Sequence, residues 1–395
     1  PLAKSELKPI PFSAQRNQAY RAERDYLYQH VWRQTKEKFY KKDMHGLDWD
    51  FYYAAYKKFL PHINNNHDFA ELLSELLGEL NASHTGCRYN FHSKENDRTA
   101  SLGIFIDFSA QGKGVKILDI MPNGPLENLE TEWKSGSFIQ AINGVEIKSI
   151  GHFYQLLNHQ EGKRIEIAGK DSKGKAQKAN VKPIGRGAEM ELLYQRWLDQ
   201  CRATVNRLSD NKVAYVHVRG MNDASFRHVY DELLGKQSGR QAVIVDTRFN
   251  GGGWLHDDLA TLLAGESYVD FVPRGQKIGT DPHEKWNKPS CVLASEGNYS
   301  DAHAFPWVYQ TLGIGPVIGM PVPGTMTAVW WERQQDPSLV FGIPQVGAQD
   351  ANGDFLENQE LQPDVRIDNS PKTLLENKDL QLEKAIEVLL QTDDK

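Results

Sequence analysis

A serine at the start of a helix and a run of glycines after a buried strand are the residues of this sequence best suited to chemistry. Ser300 stands in Gly297–Asp301, between an apolar strand pattern and a helical pattern. Gly251–Gly253 follow Ala242–Asp246, whose apolar residues are typical of a strand buried on both faces. Free backbone N–H groups at such turns attract anions, including an oxyanion that forms in a reaction. The two segments suggest a serine nucleophile beside an oxyanion-binding turn; the alternatives are a helix-capping serine and a plain tight turn.

A serine nucleophile also needs a general base, and the base needs a partner that orients it. His84 lies in the polar turn Asn81–Gly86, directly after a helical pattern with one apolar face of leucines. The ordinary pKa of histidine suits proton transfer near neutral pH. A histidine in a loop is also commonly plain surface, so spacing alone leaves the role of His84 open.

Three regions with different patterns must position these residues, which makes the fold class multidomain α/β. Residues 1–95 are predicted to be a helical domain, 96–184 a small β domain, and 185–395 an α/β domain. In the last region strand and helix patterns alternate, which predicts a mostly parallel sheet with right-handed crossovers. Functional residues of such sheets gather beyond the carboxyl ends of the strands, where the glycines and Ser300 both fall. The polar stretch 170–182 is predicted to be a linker.

Composition narrows the class of protein. The chain has 395 residues, of which 39% are hydrophobic and 25% charged, as in ordinary soluble domains. A net charge of −6 without a basic run gives no reason to expect a nucleic-acid partner, and no apolar run is long enough for a membrane span. Three cysteines without Cys-x-x-Cys spacing favour a reducing compartment, the cytoplasm. The chain starts at Pro1, so a periplasmic location stays open if a signal peptide was removed.

Other chemistries have weaker support in the sequence. The glycines lack a Gly-x-Gly-x-x-Gly pattern and a following Lys-Ser/Thr, which argues against nucleotide binding. No His-Glu-x-x-His motif occurs, and His256-Asp257-Asp258 is predicted to be a solvated helix start. Cys87 is a rival nucleophile close to His84, but no second residue places it in an oxyanion hole. We therefore expect neither a metal nor an organic cofactor.

Residues 101–169 resemble a PDZ domain in the order of their strands, turns and helix. The Asn143-Gly144 hairpin after a glycine-led strand is the most specific part, although Gly136-Ser137 replaces the usual Gly-Asp pair. The resemblance implies that a peptide carboxy-terminus adds as a strand beside Leu102, Gly103 and Ile104. A β domain that serves only as a spacer or lid is the alternative.

The sequence also resembles the carboxy-terminal half of the tricorn protease family, within the carboxyl-terminal processing peptidases. The shared motifs follow one another in the family's order over nearly the whole chain. They are Phe39-Tyr40, Met44–Trp49, Gly78–Thr85, Val245–Gly253, Tyr299–Asp301, Leu312–Gly319, Leu356–Asn358 and Pro363–Val365. The resemblance implies a helical domain, a PDZ-like domain and a catalytic α/β domain with a crotonase/ClpP-like sheet.

Carried over to these positions, the resemblance implies a serine peptidase that cleaves oligopeptides or unfolded polypeptides through a covalent acyl-enzyme. Ser300 would be the nucleophile and His84 the base, with Ser83 and Glu357 completing a tetrad. The oxyanion hole would use the N–H of Asp301 and that of Gly252 or Gly253. An inactive scaffold that binds peptide carboxy-termini through the PDZ-like domain is the alternative function.

Substrate preference and assembly are less clearly indicated. Tricorn enzymes favour a basic residue before the scissile bond, and Asp270 lies at about the distance of the acidic residue responsible. The segments Pro321–Thr325 and Glu296–Tyr299 depart from the family pattern beside the cleft, which puts specificity in doubt. The resemblance also implies a homo-oligomer, and upstream β-propeller domains that this sequence lacks.

Overall fold

The amino-terminal region is mainly helical. In the computed structural model of the chain, residues 20–391 are described, apart from positions 92, 94, 95, 111, 112, 128 and 130–132. Pro1 and the predicted domain boundary at residue 95 lie outside the described residues. The elements of the first region are α1 (Tyr20–Lys38), α2 (Trp49–Lys57), α3 (Asn66–Gly78) and β1 (Cys87–Tyr89).

Local capping and an apolar stripe explain the helices of this region. The Asp48 side chain accepts a hydrogen bond from the Phe51 N–H at 2.9 Å, and thereby caps α2 as its sequence predicts. The leucines of α3 are buried in the regional core. That core is completed from far along the chain, since Phe341 and Ile343 pack into it.

The middle region is an antiparallel sheet with one helix. Its elements are β2 (Ile104–Ile106), β3 (Val115–Ile120), β4 (Phe138–Ile142), β5 (Val145–Glu146), α4 (Ile150–Leu156), β6 (Ile165–Lys170) and β7 (Ala176–Val181). The strand order is β2-β3-β4-β6-β7, and β5 pairs with β4. Asn143 and Gly144 have positive φ values of 48° and 78°, as a tight hairpin requires.

The predicted linker at 170–182 is wrong, because β6 ends at Lys170 and β7 occupies Ala176–Val181. This strand pairs with β6 over its full length at the edge of the sheet. Of its residues, only Ala179 and Val181 are buried. Edge strands carry polar side chains on their exposed positions, so their sequences resemble linkers.

The carboxy-terminal region alternates strands and helices as expected. Its first elements are α5 (Arg186–Leu208), β8 (Val213–His217), α6 (Asp223–Tyr230), β9 (Ala242–Asp246), α7 (His256–Leu263), β10 (Val269–Phe271), β11 (Gly279–Asp281), β12 (Ser290–Ala294) and α8 (Asp301–Thr311). The remainder are β13 (Val317–Gly319), β14 (Thr327–Arg333), β15 (Leu339–Gly347), β16 (Val365–Arg366), α9 (Pro371–Leu375) and α10 (Leu380–Gln391).

A parallel sheet in the order β16-β13-β12-β9-β8 forms the centre of this region. Every residue of β8, β9 and β12 is buried. One face of the sheet packs against α6, α7 and α8, and the other against α5 and α10. Burial on both faces explains the continuous apolar runs, and it brings the turns after β9 and β12 to the same edge.

The β14–β15 hairpin joins the helical region to the sheet region. β15 pairs with β14 on one side and with β1 on the other, so the polar turn carrying His84 is held beside it. The sequence patterns did not predict this hairpin. Among the described residues, no helix combines the length and apolar character needed to cross a bilayer.

Candidate active site

Ser300 occupies a strained turn between β12 and α8. Its backbone has φ 59° and ψ −125°, and its side chain makes no capping hydrogen bond although it stands at the N-cap position of α8. Its N–H donates to Thr325 Oγ1 at 2.8 Å, which holds the turn. A non-glycine residue adopts such angles only where its surroundings enforce them, and such strain concentrates at functional sites. The helix-cap alternative therefore fails, and the hydroxyl is left available.

The glycine turn after β9 lies directly against Ser300. A Cβ added to Gly252 would stand 2.6 Å from the Ser300 Cβ, and one added to Gly253 would stand 1.9 Å from the Met221 oxygen. Both positions also have positive φ, at 94° and 145°. Glycine is required here because only a residue without a side chain permits this approach.

The two glycines differ in what their N–H groups do. Gly252 donates its N–H to Asn250 Oδ1 at 2.8 Å. Within the described residues, the N–H groups of Gly253 and Asp301 have no hydrogen-bond partner. Gly253 and Asp301 thus leave two donors at the edge of the sheet where Ser300 stands, and free donors of this kind can stabilise an oxyanion.

His84 is held by contacts on its backbone, its ring face and one ring nitrogen. Its Nδ1 lies 2.7 Å from Ser83 Oγ and 3.0 Å from Thr327 Oγ1. Its N–H donates to the Tyr299 hydroxyl at 2.7 Å, and the two rings lie 4.7 Å apart. Because Nδ1 is engaged by these hydroxyls, Nε2 is the nitrogen left to exchange a proton at the cavity. Burial lowers the pKa of His84 to about 4, so the ring is neutral at pH 7 and able to accept a proton.

Glu357 lies behind Ser83 and is itself buried. Its carboxylate accepts hydrogen bonds from the Ser83 N–H and, at 3.0 Å, from the Ser83 hydroxyl. Burial raises the pKa of Glu357, while the hydrogen bonds from Ser83 act in the opposite direction. The next residue, Asn358, donates its side-chain amide to the Asn81 oxygen at 2.8 Å. Glu357 and Asn358 are thereby tied to the part of the turn that precedes His84.

Asp301 has a second role that the sequence did not reveal. Its side chain accepts from the N–H groups of Leu255 and His256 and forms a hydrogen bond with Nδ1 of the His256 ring. This hydrogen bond raises the pKa of His256. The residue after Ser300 is thus anchored to the start of α7. The helix does begin at His256, and Asp257 and Asp258 are exposed as predicted, but the His256 ring is partly buried against Asp301.

Buried polar groups hold the glycine turn after β9 and the turn at Ser300 in place. Arg248 pairs with Asp246 at 2.7 Å, and both side chains are almost fully buried. Asn298 donates to Thr247 Oγ1 at 2.9 Å and to the Ala302 oxygen at 3.0 Å. These bonds join the loop after β9 to the loop before α8, which fixes the spacing between the glycine turn and Ser300.

A cavity of about 380 Å³ lies over these groups. His84, Ser300, Asp301 and Gly253 border it, together with apolar residues of the β14–β15 hairpin. Of the predicted site residues, Ser83 and Glu357 lie behind His84 and not at the cavity surface. A partly exposed hydroxyl and a buried imidazole beside two free N–H donors can perform acyl transfer.

Two other candidates lie away from this cavity or lack reactivity. Asp270 stands on the exposed strand β10, where its carboxylate pairs with Lys277 at 2.6 Å. Burial raises the pKa of Cys87 to about 12, which removes the thiolate that a nucleophile needs.

The predicted peptide-binding residues belong to a second cavity, of about 300 Å³, between β2, α4 and the start of α5. Leu102 and Ile104 line it. The Gly103 N–H already donates to Ser101 Oγ at 3.0 Å, and the Ser101 hydroxyl donates to the Glu189 carboxylate.

Sequence reasoning missed Thr327, Tyr299 and His256. Thr327 Oγ1 lies 2.9 Å from Ser83 Oγ as well as beside His84 Nδ1. No local signal marks Thr327, because it contacts the turn only through the folding of the hairpin. Tyr299 belongs to the Tyr299–Asp301 motif, but the motif does not show that its hydroxyl accepts from the His84 N–H.

Comparisons with known proteins agree with this arrangement. The family described as Peptidase family S41 matches residues 212–367, and the Tricorn protease C1 domain matches residues 20–78. A protein of Sulfurisphaera tokodaii named for a tricorn-like protease C-terminal subunit is 26% identical over 92% of this chain and 43% of its own length. Tricorn protease homolog 1 of Streptomyces coelicolor is also 26% identical, over 92% of this chain and 35% of its own length.

A solved structure shares the fold. The crystal structure of the tricorn protease superposes with a TM-score of 0.82 at 20% identity, covering 95% of this chain and 37% of that one. The chain thus spans less than half the length of these relatives. Two family models match the chain in order, relatives align over nearly its whole length, and a solved structure shares its fold. The chain therefore belongs to the tricorn-like members of peptidase family S41.

Proposed function

We propose that this chain is a serine peptidase that hydrolyses peptide bonds of oligopeptides or unfolded polypeptides. The observation that carries the proposal is the convergence of four groups on one cavity. They are the uncapped hydroxyl of Ser300, the neutral imidazole of His84, and the unpaired N–H groups of Asp301 and Gly253. Membership of the S41 family supports the same reaction class.

In the proposed reaction, Ser300 Oγ attacks the carbonyl carbon of the scissile bond while His84 Nε2 takes the hydroxyl proton. The carbonyl oxygen becomes an oxyanion that accepts hydrogen bonds from the Asp301 and Gly253 N–H groups. His84 then gives the proton to the leaving nitrogen, the C–N bond breaks, and an acyl-enzyme remains on Ser300. A water molecule, deprotonated by His84, hydrolyses that ester and restores Ser300.

Ser83 and Glu357 have an orienting role in this proposal. The Ser83 hydroxyl bridges the Glu357 carboxylate, at 3.0 Å, and His84 Nδ1, at 2.7 Å. An ionised Glu357 would stabilise the imidazolium that forms when His84 accepts the proton. We favour Gly253 over Gly252 as the oxyanion donor, because the N–H of Gly252 is already bonded to Asn250.

The finer domain structure is part of the same proposal. We assign residues 1–95 to a helical domain, 96–184 to a PDZ-like domain and 185–395 to a catalytic domain of the crotonase/ClpP-like type. The antiparallel sheet with α4 beside β2, and the parallel sheet covered on both faces, support these assignments. A homo-oligomer and upstream β-propeller domains remain predictions from the family resemblance.

Replacement of the nucleophile tests the proposed function. Ser300→Ala should lower kcat for an unstructured peptide by roughly 10⁶-fold, as in other serine peptidases. A fluorophosphonate probe should label the parent at Ser300 and should not label the variant. The matched control is Ser238→Ala, whose exposed hydroxyl bonds the Gly235 oxygen and no other group in the described part of the chain, and it should match the parent. Full hydrolysis by folded Ser300→Ala protein would refute the assignment.

The second cavity supports an alternative function, in which the chain is an inactive scaffold that binds peptide carboxy-termini beside Leu102, Gly103 and Ile104. In favour of it, β2 is an edge strand and its cavity extends along α4. Peptide binding without either hydrolysis or fluorophosphonate labelling would favour this alternative.

A further inference from the structure

The cavity beside Ser300 has walls of two different kinds. One side carries the groups proposed for the reaction, and the other is built by the β14–β15 hairpin with Met326, Ala328, Val329, Val346 and Ala348. A register shift between Ala328 and Val329 interrupts the regular alternation of the hairpin. Consecutive residues can therefore border the same cavity. The hydroxyl of Thr327, which also borders it, is engaged by Ser83 and His84, and the rest of this wall is apolar.

No charge in this cavity is free to bind a basic side chain. Among the described residues that border it, Asp301 is the sole carboxylate. Both of its oxygens are already used, by the N–H groups of Leu255 and His256 and by the His256 ring. A lysine or arginine side chain would lose its hydration here without gaining a partner. It would also lie near His256, whose pKa is raised by Asp301.

The acidic residue expected to select basic substrates does not reach the cavity. Asp270 lies on β10 and neutralises Lys277 at 2.6 Å. Neither Asp270 nor any other residue of the β10–β11 hairpin borders the cavity.

The dimensions of the cavity favour a medium or large apolar side chain. Ala328 and Ala348 contribute only methyl groups to the wall, so space remains between the hairpin and Ser300. At the mouth, the Trp254 side chain is 75% exposed in the free chain and offers further apolar surface. Burial of a leucine or phenylalanine side chain against these groups is favourable because it removes apolar surface from water.

We infer that this cavity takes the side chain of the residue on the amino side of the scissile bond, and that it selects leucine, methionine or phenylalanine. The inference rests on the proposed peptidase function and names its substrate class. Ala328, Val329, Val346 and Ala348 are the specificity-determining residues.

The first experiment compares peptides that differ only at this position, with leucine, phenylalanine, lysine or glutamate. For the parent chain, kcat/KM for leucine or phenylalanine should exceed that for lysine and glutamate by about 10–100-fold, the range that a hydrophobic pocket supplies. Equal rates, or a preference for lysine or glutamate, would overturn the inference.

Fluorophosphonate labelling of Ser300 does not depend on a peptide side chain. It therefore distinguishes failure of this inference from failure of the peptidase proposal. Labelling together with a preference for lysine leaves the peptidase proposal standing and removes the inference. Absence of both labelling and hydrolysis with all four peptides removes both.

A designed change of preference provides the second experiment. Ala348→Asp places a carboxylate in the apolar wall, and the kcat/KM ratio of lysine to leucine peptides should rise at least about tenfold. Leu118→Asp is the matched control, because Leu118 is 56% exposed on the distant strand β3. Asp270→Asn should leave the ratio unchanged. An altered ratio in Asp270→Asn, or an unaltered ratio in Ala348→Asp protein that still reacts with the fluorophosphonate, would overturn the inference.

Discussion

The cavity beside Ser300 and the cavity beside β2 differ in how their polar groups are used. At Ser300 the supporting groups are buried and bonded, whereas the hydroxyl and the Gly253 and Asp301 N–H groups remain unpaired among the described residues. Beside β2 the Gly103 N–H is bonded to Ser101, and Ser101 is bonded to Glu189. Free donors held by a rigid support can stabilise a charge that develops in a reaction, whereas donors already bonded must first be released. The comparison favours chemistry at the first cavity and, at most, regulated binding at the second.

Among changes that leave the free groups of the first cavity in place, the largest effect is expected from the loss of the Glu357 carboxylate. Glu357→Gln should lower kcat by roughly 10²–10⁴-fold, because a neutral amide stabilises the His84 imidazolium less well than a carboxylate. Ser300 should still react slowly with a fluorophosphonate. Steady-state kinetics would measure the loss, with Glu360→Gln, an exposed residue of the same segment, as control. If the Glu357→Gln variant kept the kcat of the parent, the proposed role of Glu357 in the site would be refuted.

The pH dependence of kcat/KM tests whether burial lowers the pKa of His84. A histidine with a pKa of 6.5 would be mostly protonated at pH 5.5, and kcat/KM would fall about tenfold. Because burial lowers the pKa of His84 to about 4, its neutral form persists at pH 5.5, and kcat/KM should stay within about twofold of its value at pH 7.5. The rate should fall only as the pH decreases through about 4.

Stability must be measured in parallel with this profile. The folded-state pKa of His84 lies below its unfolded value, so the unfolded chain binds more protons between those two pKa values. The free energy of unfolding should decrease as the pH falls from about 6.5 to about 4, and His303 contributes in the same direction. Denaturant titration at each pH separates this loss from catalysis. A midpoint near 6.5 in kcat/KM for fully folded protein would contradict the proposed burial of the base.

The smallest expected effect concerns the second cavity. Glu189→Gln should strengthen the binding of a peptide with a free carboxy-terminus by about 3–10-fold, because a carboxylate near Ser101 repels the incoming one. Fluorescence anisotropy in the Ser300→Ala background would measure it without cleavage. Glu191→Gln is the control, since Glu191 pairs with Arg219. Unchanged or weaker binding would show that Glu189 does not compete with the peptide.

Long, strongly patterned elements were predictable from the sequence. The helical pattern of leucines before His84 is α3, and the buried strand Ala242–Asp246 is β9, as expected. The prediction failed for β7 and for the β14–β15 hairpin. β7 buries only Ala179 and Val181, and β14 buries only Thr327, so neither has the run of buried apolar residues by which β9 was recognised.

The candidate site was predictable in its residue types but not in its hydrogen bonds. Ser300 and the glycines were found because both follow buried strands of one parallel sheet. His84 and Glu357 could be named only through family resemblance, since they are 273 positions apart in numbering and meet through the turn at Ser83.

The sequence by itself determined which segments could be strands and helices, and that a serine and three glycines stand at strand ends, because local periodicity and backbone freedom are properties of neighbouring residues. Only the tertiary structure decided that Asn250 uses the Gly252 N–H, that Thr327 contacts His84, and that Asp301 is bonded to His256. These hydrogen bonds join residues whose positions depend on packing between elements. The same packing buries His84, and that burial sets its pKa.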